Sequence, residues 1–301
     1  MTQKTMAIDV VTMFRALAEL EEEFLGKGRT WTHTTTDQKI IFELYRRYMP
    51  ALSRLTRIKS KASTDWQVLN DFLVADNFDP MFNGPLDGIG AVSILDMLVN
   101  WLVEAGICNI LGNDSAKHIG FEIPAHGRQV YTPTGFKSPL VGLETKSGDL
   151  LWLAIPDQVP VDLVDMIRIA FTAMSRPSVI SRRQSPDVIT TVQVPEVKFD
   201  VKPDIAPLLV SAFTFDEARS RWYIDQAMQQ FKFAMNKEGA RAKVATGIAM
   251  RKGISLNEPK PLVLNQPFMG WFTQPGAPTL PIAIFYADYG SWQAAGDLRS
   301  L

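Results

Sequence analysis

Residues 231–255 read FKFAMNKEGARAKVATGIAMRKGIS, and several textures follow one another within them. Phe231, Phe233 and Met235 alternate with Lys232, Ala234 and Asn236, the period-two signature of a half-buried strand. Glu238 and Gly239 interrupt the alternation. Small residues follow at Ala240, Ala242, Ala245 and Thr246, with Val244 among them. The stretch closes on a basic run punctuated by glycine: Gly247, Arg251, Lys252, Gly253. Gly247, Gly253 and the basic pair predict that residues 245–257 are exposed and the most protease-sensitive part of the chain.

The sequence on either side of this stretch is rich in strand signals. Residues 188–201, VITTVQVPEVKFDV, predict two strands broken at Pro195. Residues 262–264 and 280–285 are unbroken apolar runs, which predicts buried strands packed on a last hairpin. Residues 150–155, LLWLAI, predict a strand covered on both faces that stops at Pro156. A helix is expected over 161–171, with Pro160 placed to open its first turn.

The first hundred residues read as helical. Val10, Phe14, Leu17, Leu20 and Phe24 form a stripe at helical spacing, with Glu21, Glu22 and Glu23 on the wet side. A second helix is expected over 37–58, interrupted by Pro50, a strand over 66–74, and a well-buried helix over 94–111. No repeat, low-complexity segment or linker divides the chain. One mixed α and β domain spanning residues 1–301, helices first and strands later, is the expected organisation.

Composition narrows the function classes. A formal net charge of −1 over 301 residues lacks the basic footprint of a nucleic-acid binder, and Arg182-Arg183 is too short a surplus to supply one. No apolar stretch reaches membrane-spanning length. A single cysteine, Cys108, excludes an internal disulfide framework and is expected in a packed interior. The N-terminus has no hydrophobic leader, so a cytoplasmic location is expected, with secretion left open should the numbering omit a leader.

The usual chemistry of enzymes is missing. His33, His118 and His126 are scattered without metal-ligand spacing, and there is no G-x-S-x-G elbow, P-loop or H-E-x-x-H motif. Gly84, Gly88 and Gly90 in GPLDGIG read as a plain turn, because no strand precedes them and no G-K-[ST] follows. The expectation is a protein that is not an enzyme and uses no metal or cofactor.

Three blocks in the second half carry a resemblance. Glu238-Gly239-Ala240-Arg241-Ala242-Lys243-Val244-Ala245-Thr246 stands where a strand is followed by E-G-T-E-A-A-A-A-T. Val194-Pro195-Glu196-Val197-Lys198-Phe199 is similar to L/V-P-x-F/V-K-F/L, and Asn265-Gln266-Pro267-Phe268 to D/N-R/K/H-P-F. In that order and spacing the blocks resemble the serpins, the serine-protease-inhibitor family. Weaker similarities lie at Leu69-Asn70-Asp71-Phe72-Leu73-Val74, at Val99-Asn100-Trp101-Leu102-Val103 and at residues 150–156. The S-P-x-S-I-S helix start and the N-A-x-Y-F-K-G-x-W strand motif are absent, and the stretch between Leu111 and Leu150 is much shorter than its counterpart. The resemblance therefore implies a shortened α+β serpin fold with a reactive-centre loop at about 239–257.

What the resemblance implies for function is a protease trap. A monomer would present a scissile bond to a serine or cysteine protease, and the cut loop would enter the central sheet as a new strand. An inserted strand sends alternate side chains under the sheet. With Gly239 as hinge, one set is Ala240, Ala242, Val244 and Thr246, all small and uncharged, while Arg241 and Lys243 fall on the other. Counting from Gly239 puts the scissile bond at Gly253, and counting back from Pro267 puts it nearer Leu256. Arg251 and Lys252 would attract a trypsin-like enzyme, Ile254 and Ser255 an elastase-like one. Against inhibition, Lys237 replaces an acidic hinge residue, and Lys243 and Val244 break the alanine run. A non-inhibitory binding or assembly role is the alternative.

Overall fold

The computed structural model describes residues 4–55, 57–95, 97–124, 130–131, 133–175, 189–239 and 260–298. Strand β1 (Met6–Ile8) leads into helix α1 (Val10–Leu20). Asp9 caps α1, its carboxylate accepting from the Val11 and Thr12 amides, and the predicted stripe of Val10, Phe14 and Leu17 is buried. A wide helical turn (Glu21–Leu25) continues it. There the wet-side expectation fails for Glu21, which is buried. It accepts hydrogen bonds from Trp31 Nε1 (2.8 Å), the Tyr45 hydroxyl (2.9 Å) and the amides of Gly28 and Arg29. Helix α2 (Thr36–Leu52) ends two residues after Pro50, and Ile58 opens strand β2 (Ile58–Ser63) instead of extending the helix.

Residues 66–74 form helix α3 (Trp66–Val74), not a strand. Asp65 caps its Gln67 amide, Leu69 and Leu73 bury one face, and Asn70 bonds the Met81 and Phe82 backbone. The buried helix expected over 94–111 is also corrected. Ile94 belongs to β3 (Gly90–Leu95), and a loop separates it from β4 (Gly106–Leu111). β-Branched Val92, Ile94, Ile107 and Ile110 suit strands, and an apolar run alone does not distinguish the two periods.

Beyond this point the sequence reading holds well. The chain proceeds through β5 (Lys117–Pro124), β6 (Val130–Tyr131), β7 (Leu140–Glu144), β8 (Leu150–Ala154) and helix α4 (Leu163–Ser175). Strands β9 (Ile189–Pro195) and β10 (Val197–Val201) meet at the predicted break. A short helix α5 (Ala206–Leu209), strands β11 (Phe213–Phe215) and β12 (Arg221–Tyr223), and β13 (Phe231–Met235) follow. The last strands are β14 (Lys260–Val263), β15 (Phe268–Gln274) and β16 (Ala277–Ala287).

The core centres on a six-stranded antiparallel sheet ordered β1-β16-β15-β8-β7-β6. Every residue of β15 is buried, as are residues 280–285 of β16, and the indole of Trp152 donates to Thr273 Oγ1 (3.0 Å) within it. A four-stranded sheet runs β14-β9-β5-β4, with β14 parallel to β9. β14 is its edge, so Leu262 and Val263 are only half-buried and full burial begins at Leu264. Cys108 is half-buried on the opposite edge strand, not in a packed interior. His118 pairs with Asp114 (3.0 Å) and packs against Tyr289 and Trp292, while His126 lies outside the described residues. Two further ladders, β2-β3 and β10-β13, stand apart from these sheets. Among the described residues no helix is long and apolar enough to cross a membrane.

Candidate functional site

The two small ladders share an apolar groove. β3 pairs with β2 on one side and β13 with β10 on one side, so each has a second edge without a ladder among the described residues. Residues of both strands line the same cavity of about 310 Å³, to which α1 contributes Met13, Leu17 and Leu20. Neither strand has charge to spare toward it. Phe231, Phe233 and Met235 are turned into the core, where Phe233 lies 4.5 Å from Phe285, and Lys232 donates from Nζ to the Asn77 carbonyl (2.7 Å). Unpaired backbone edges on apolar walls are what an additional strand would satisfy.

One end of the groove is tied by glutamines. Gln229 accepts from the Asp9 amide (2.9 Å) and donates to the Asp9 carbonyl (2.9 Å) and to Thr12 Oγ1 (3.1 Å). Gln230 donates to Asp200 and accepts from the Asp79 amide. The Asp9 carboxylate also accepts from the Ala283 amide (3.1 Å), and burial pushes its pKa up despite these bonds.

At the other end the chain leaves β13 through a pinned turn. The Trp101 indole donates to the Asn236 carbonyl (2.9 Å), which also accepts from the Gly239 amide (3.1 Å). Asn236 Oδ1 accepts from the Glu238 amide (2.9 Å), and its Nδ2 donates to the Gly296 carbonyl (3.0 Å). Gly239 then forms a bridge with Asn100, whose carbonyl accepts from the Lys146 amide. The hinge glycine is required here on two counts. Its φ is +50°, and a Cβ would sit 2.5 Å from the Trp101 nitrogen and 2.7 Å from its ring.

A testable consequence separates the two halves of this clasp. Gly239→Val is expected to destabilise the chain by on the order of 2–4 kcal/mol, from the left-handed backbone and the collision together. Trp101→Phe removes one hydrogen bond from a carbonyl that keeps its second donor, so it should cost about 1 kcal/mol. Denaturant melts of both variants check the order. Equal losses would mean that the ring's contact with Gly239 is not what constrains the turn.

Of the residues singled out from sequence, the structure places two. Glu238 is exposed in the turn, and Gly239 is buried beneath Trp101. Ala240, Ala242, Val244 and Thr246, and the cleavage candidates Arg251, Lys252, Gly253, Ile254 and Ser255, lie outside the described residues. The chain is next described at Lys260, the start of β14. Trp101 and Asn236 were missed. Trp101 sat inside an apolar run read as helix, and nothing in the sequence ties it to a turn 135 residues away.

Comparison with known proteins sets this geometry in a wider frame. No protein-family model matches the chain, and no curated protein matches it in sequence. Solved structures do match in three dimensions, among them Serpin48, described as a highly specific serpin of the insect Tenebrio molitor. That likeness has a TM-score of 0.53 at 12% identity and covers 92% of this chain and 96% of Serpin48. The fold is that of the serpins. Tengpin, a thermophilic serpin in its native state, aligns with a TM-score of 0.57 at 11% identity, over 95% of this chain and 89% of its own. Human glycosylated kallistatin gives 0.52 at 7% identity, over 91% and 94%. The serpin fold is thus shared over nearly the full length of both partners while at most about one residue in eight agrees.

Proposed function

We propose that this serpin-fold chain is a protease trap, in which residues 1–301 act as one unit and the groove between β3 and β13 receives the cleaved loop. The observation that carries this reading is the position of Gly239. The chain turns at the mouth of a groove walled by two unladdered strand edges, so residues after 239 have the shortest route into it. In the proposed reaction a protease nucleophile attacks a peptide bond between Arg251 and Ser255, forming an acyl-enzyme. Insertion of residues 240–250 then drags the enzyme from its working geometry before water can deacylate it. The partner is a trypsin-like or elastase-like protease of the serine or cysteine class, and the chain itself supplies no catalytic group or cofactor.

Lys237 favours a second reading, in which the serpin fold serves as a non-inhibitory binding or assembly component. It is half-buried in the hinge turn, next to the Asn236 contacts that must open for insertion. Incubation with trypsin or elastase separates the two. A trap gives a one-to-one adduct that survives boiling in detergent, with protease activity lost in proportion. Complete conversion to two fragments with the protease still active would leave the binding reading standing.

A further inference from the structure

Edge strands of soluble proteins are ordinarily guarded by charge, proline or burial, and here all but one of the long edges are. β2 carries exposed Lys59 and Lys61, and β10 carries Lys198 and Asp200, with Gln293 donating to the Lys198 carbonyl. β14 contains Lys260 and Pro261, and Ala7 and Ile8 of β1 are buried. β4 is different. Its sequence, GICNIL, holds neither charge nor proline, and its outer edge has no ladder among the described residues.

The same strand presents an apolar face to solvent. The β4–β5 register sets Ile107 opposite Phe121, Asn109 opposite Ile119 and Leu111 opposite Lys117, so Ile107, Asn109, Leu111 and Ile119 share one side. Ile107 is 67% exposed, Leu111 62% and Ile119 51%, among the most exposed large apolar side chains described. The other side of β4 is anchored, with Ile110 fully buried. An anchored, uncharged strand with an exposed apolar face and a free edge is built to be covered.

We infer that β4 pairs antiparallel with β4 of a second copy of this chain, about a two-fold axis through Asn109. The pairing is self-complementary. Ile107 of each copy meets Leu111 of the other, Cys108 meets Ile110, and the two Asn109 amides face each other across the axis. An edge without charge offers nothing to orient an acidic or basic peptide, whereas a second copy matches it in both polarity and size. The isologous contact also closes on itself, leaving neither β4 edge free. This departs from the monomer expected from sequence, and it does not depend on the loop acting as a trap.

Charge placed on the axis provides the decisive experiment. In sedimentation of the full chain, the unmodified protein is expected to reach twice the monomer mass as concentration rises. Asn109→Asp and Asn109→Lys should each sediment as monomers, since like charges then oppose each other, and their equimolar mixture should recover the doubled mass. Cys108 gives a second readout that does not require a variant. As the only cysteine of the chain it reports contacts between copies alone, and the register makes the two thiols diagonal neighbours at roughly 7–8 Å. A short bis-maleimide should therefore yield one dimer band. The reaction calls for mildly alkaline buffer, because burial and the nearby Glu122 hold the thiol pKa up. Ile107→Lys should abolish the band, with unchanged circular dichroism showing that the chain still folds. A monomer at every concentration overturns the inference, as do charge variants that dimerise alone, a mixture that stays monomeric, or species larger than dimers.

Discussion

Trypsin should nick the intact chain first within residues 245–257, and the nicked protein should melt well above the intact one. Ladder bonds at about 1 kcal/mol each are largely offset by an ordering cost of about 1–2 kcal/mol per residue. The surplus must come from elsewhere. An inserted strand would cover the apolar walls supplied by Met13, Leu17 and Leu20 and close two strand edges at once, at roughly 25 cal/mol per Å² of apolar surface removed from water. A gain of several kcal/mol in a chain of this size raises Tm by on the order of 10 °C. Calorimetry before and after clean cleavage measures it. An unchanged Tm would leave the groove without its proposed occupant and favour the non-inhibitory reading. A first cut at Lys198, in β10, would remove the basis for an exposed reactive loop.

How much of this was legible follows from where the signals lie. Strand alternation at Phe231, Phe233 and Met235 and the break between β9 and β10 at Pro195–Val197 are local patterns, and they came out correctly. The buried closing strand over 280–285 did too, since an unbroken apolar run near the end of the chain has few places to go. Helix α3 was misread because Leu69, Asn70 and Leu73 take their meaning from Phe82 and β3, not from their immediate neighbours. Residues 94–111 were misread for the converse reason: apolar on every side, they carried no period, and the loop between two strands was invisible. Glu21 defied its surface reading because three donors converge on it from Gly28, Trp31 and Tyr45. The hinge glycine was legible as a motif. Its clasp, Trp101 against Asn236, is a contact between segments far apart in sequence, and such contacts leave no spacing to read.

Parity gives the sharpest test of the insertion itself. A segment entering the groove from Gly239 runs back antiparallel to β13, so alternate residues face α1 and the others face water. The register set by Gly239 sends Ala240, Ala242, Val244 and Thr246 inward, toward Met13, Leu17 and Leu20. Val244→Glu is therefore expected to abolish the cleavage-induced rise in Tm, since an inward carboxylate would be an unpaired buried charge costing on the order of several kcal/mol. Among the described lining residues Lys232 is the only cation, and its ammonium is already engaged by the Asn77 carbonyl. Ala240→Glu should act in the same way. Lys243→Glu should leave the rise intact, because that side chain stays in water and only the sign of a solvated charge changes. Stiffening or loosening of the loop in general would affect neighbours 243 and 244 alike. Melting curves of the three cleaved variants thus distinguish a strand with a defined inner face from a loop that is merely cut. Equal effects at 243 and 244 would overturn the register, and with it the assignment of Gly239 as the hinge.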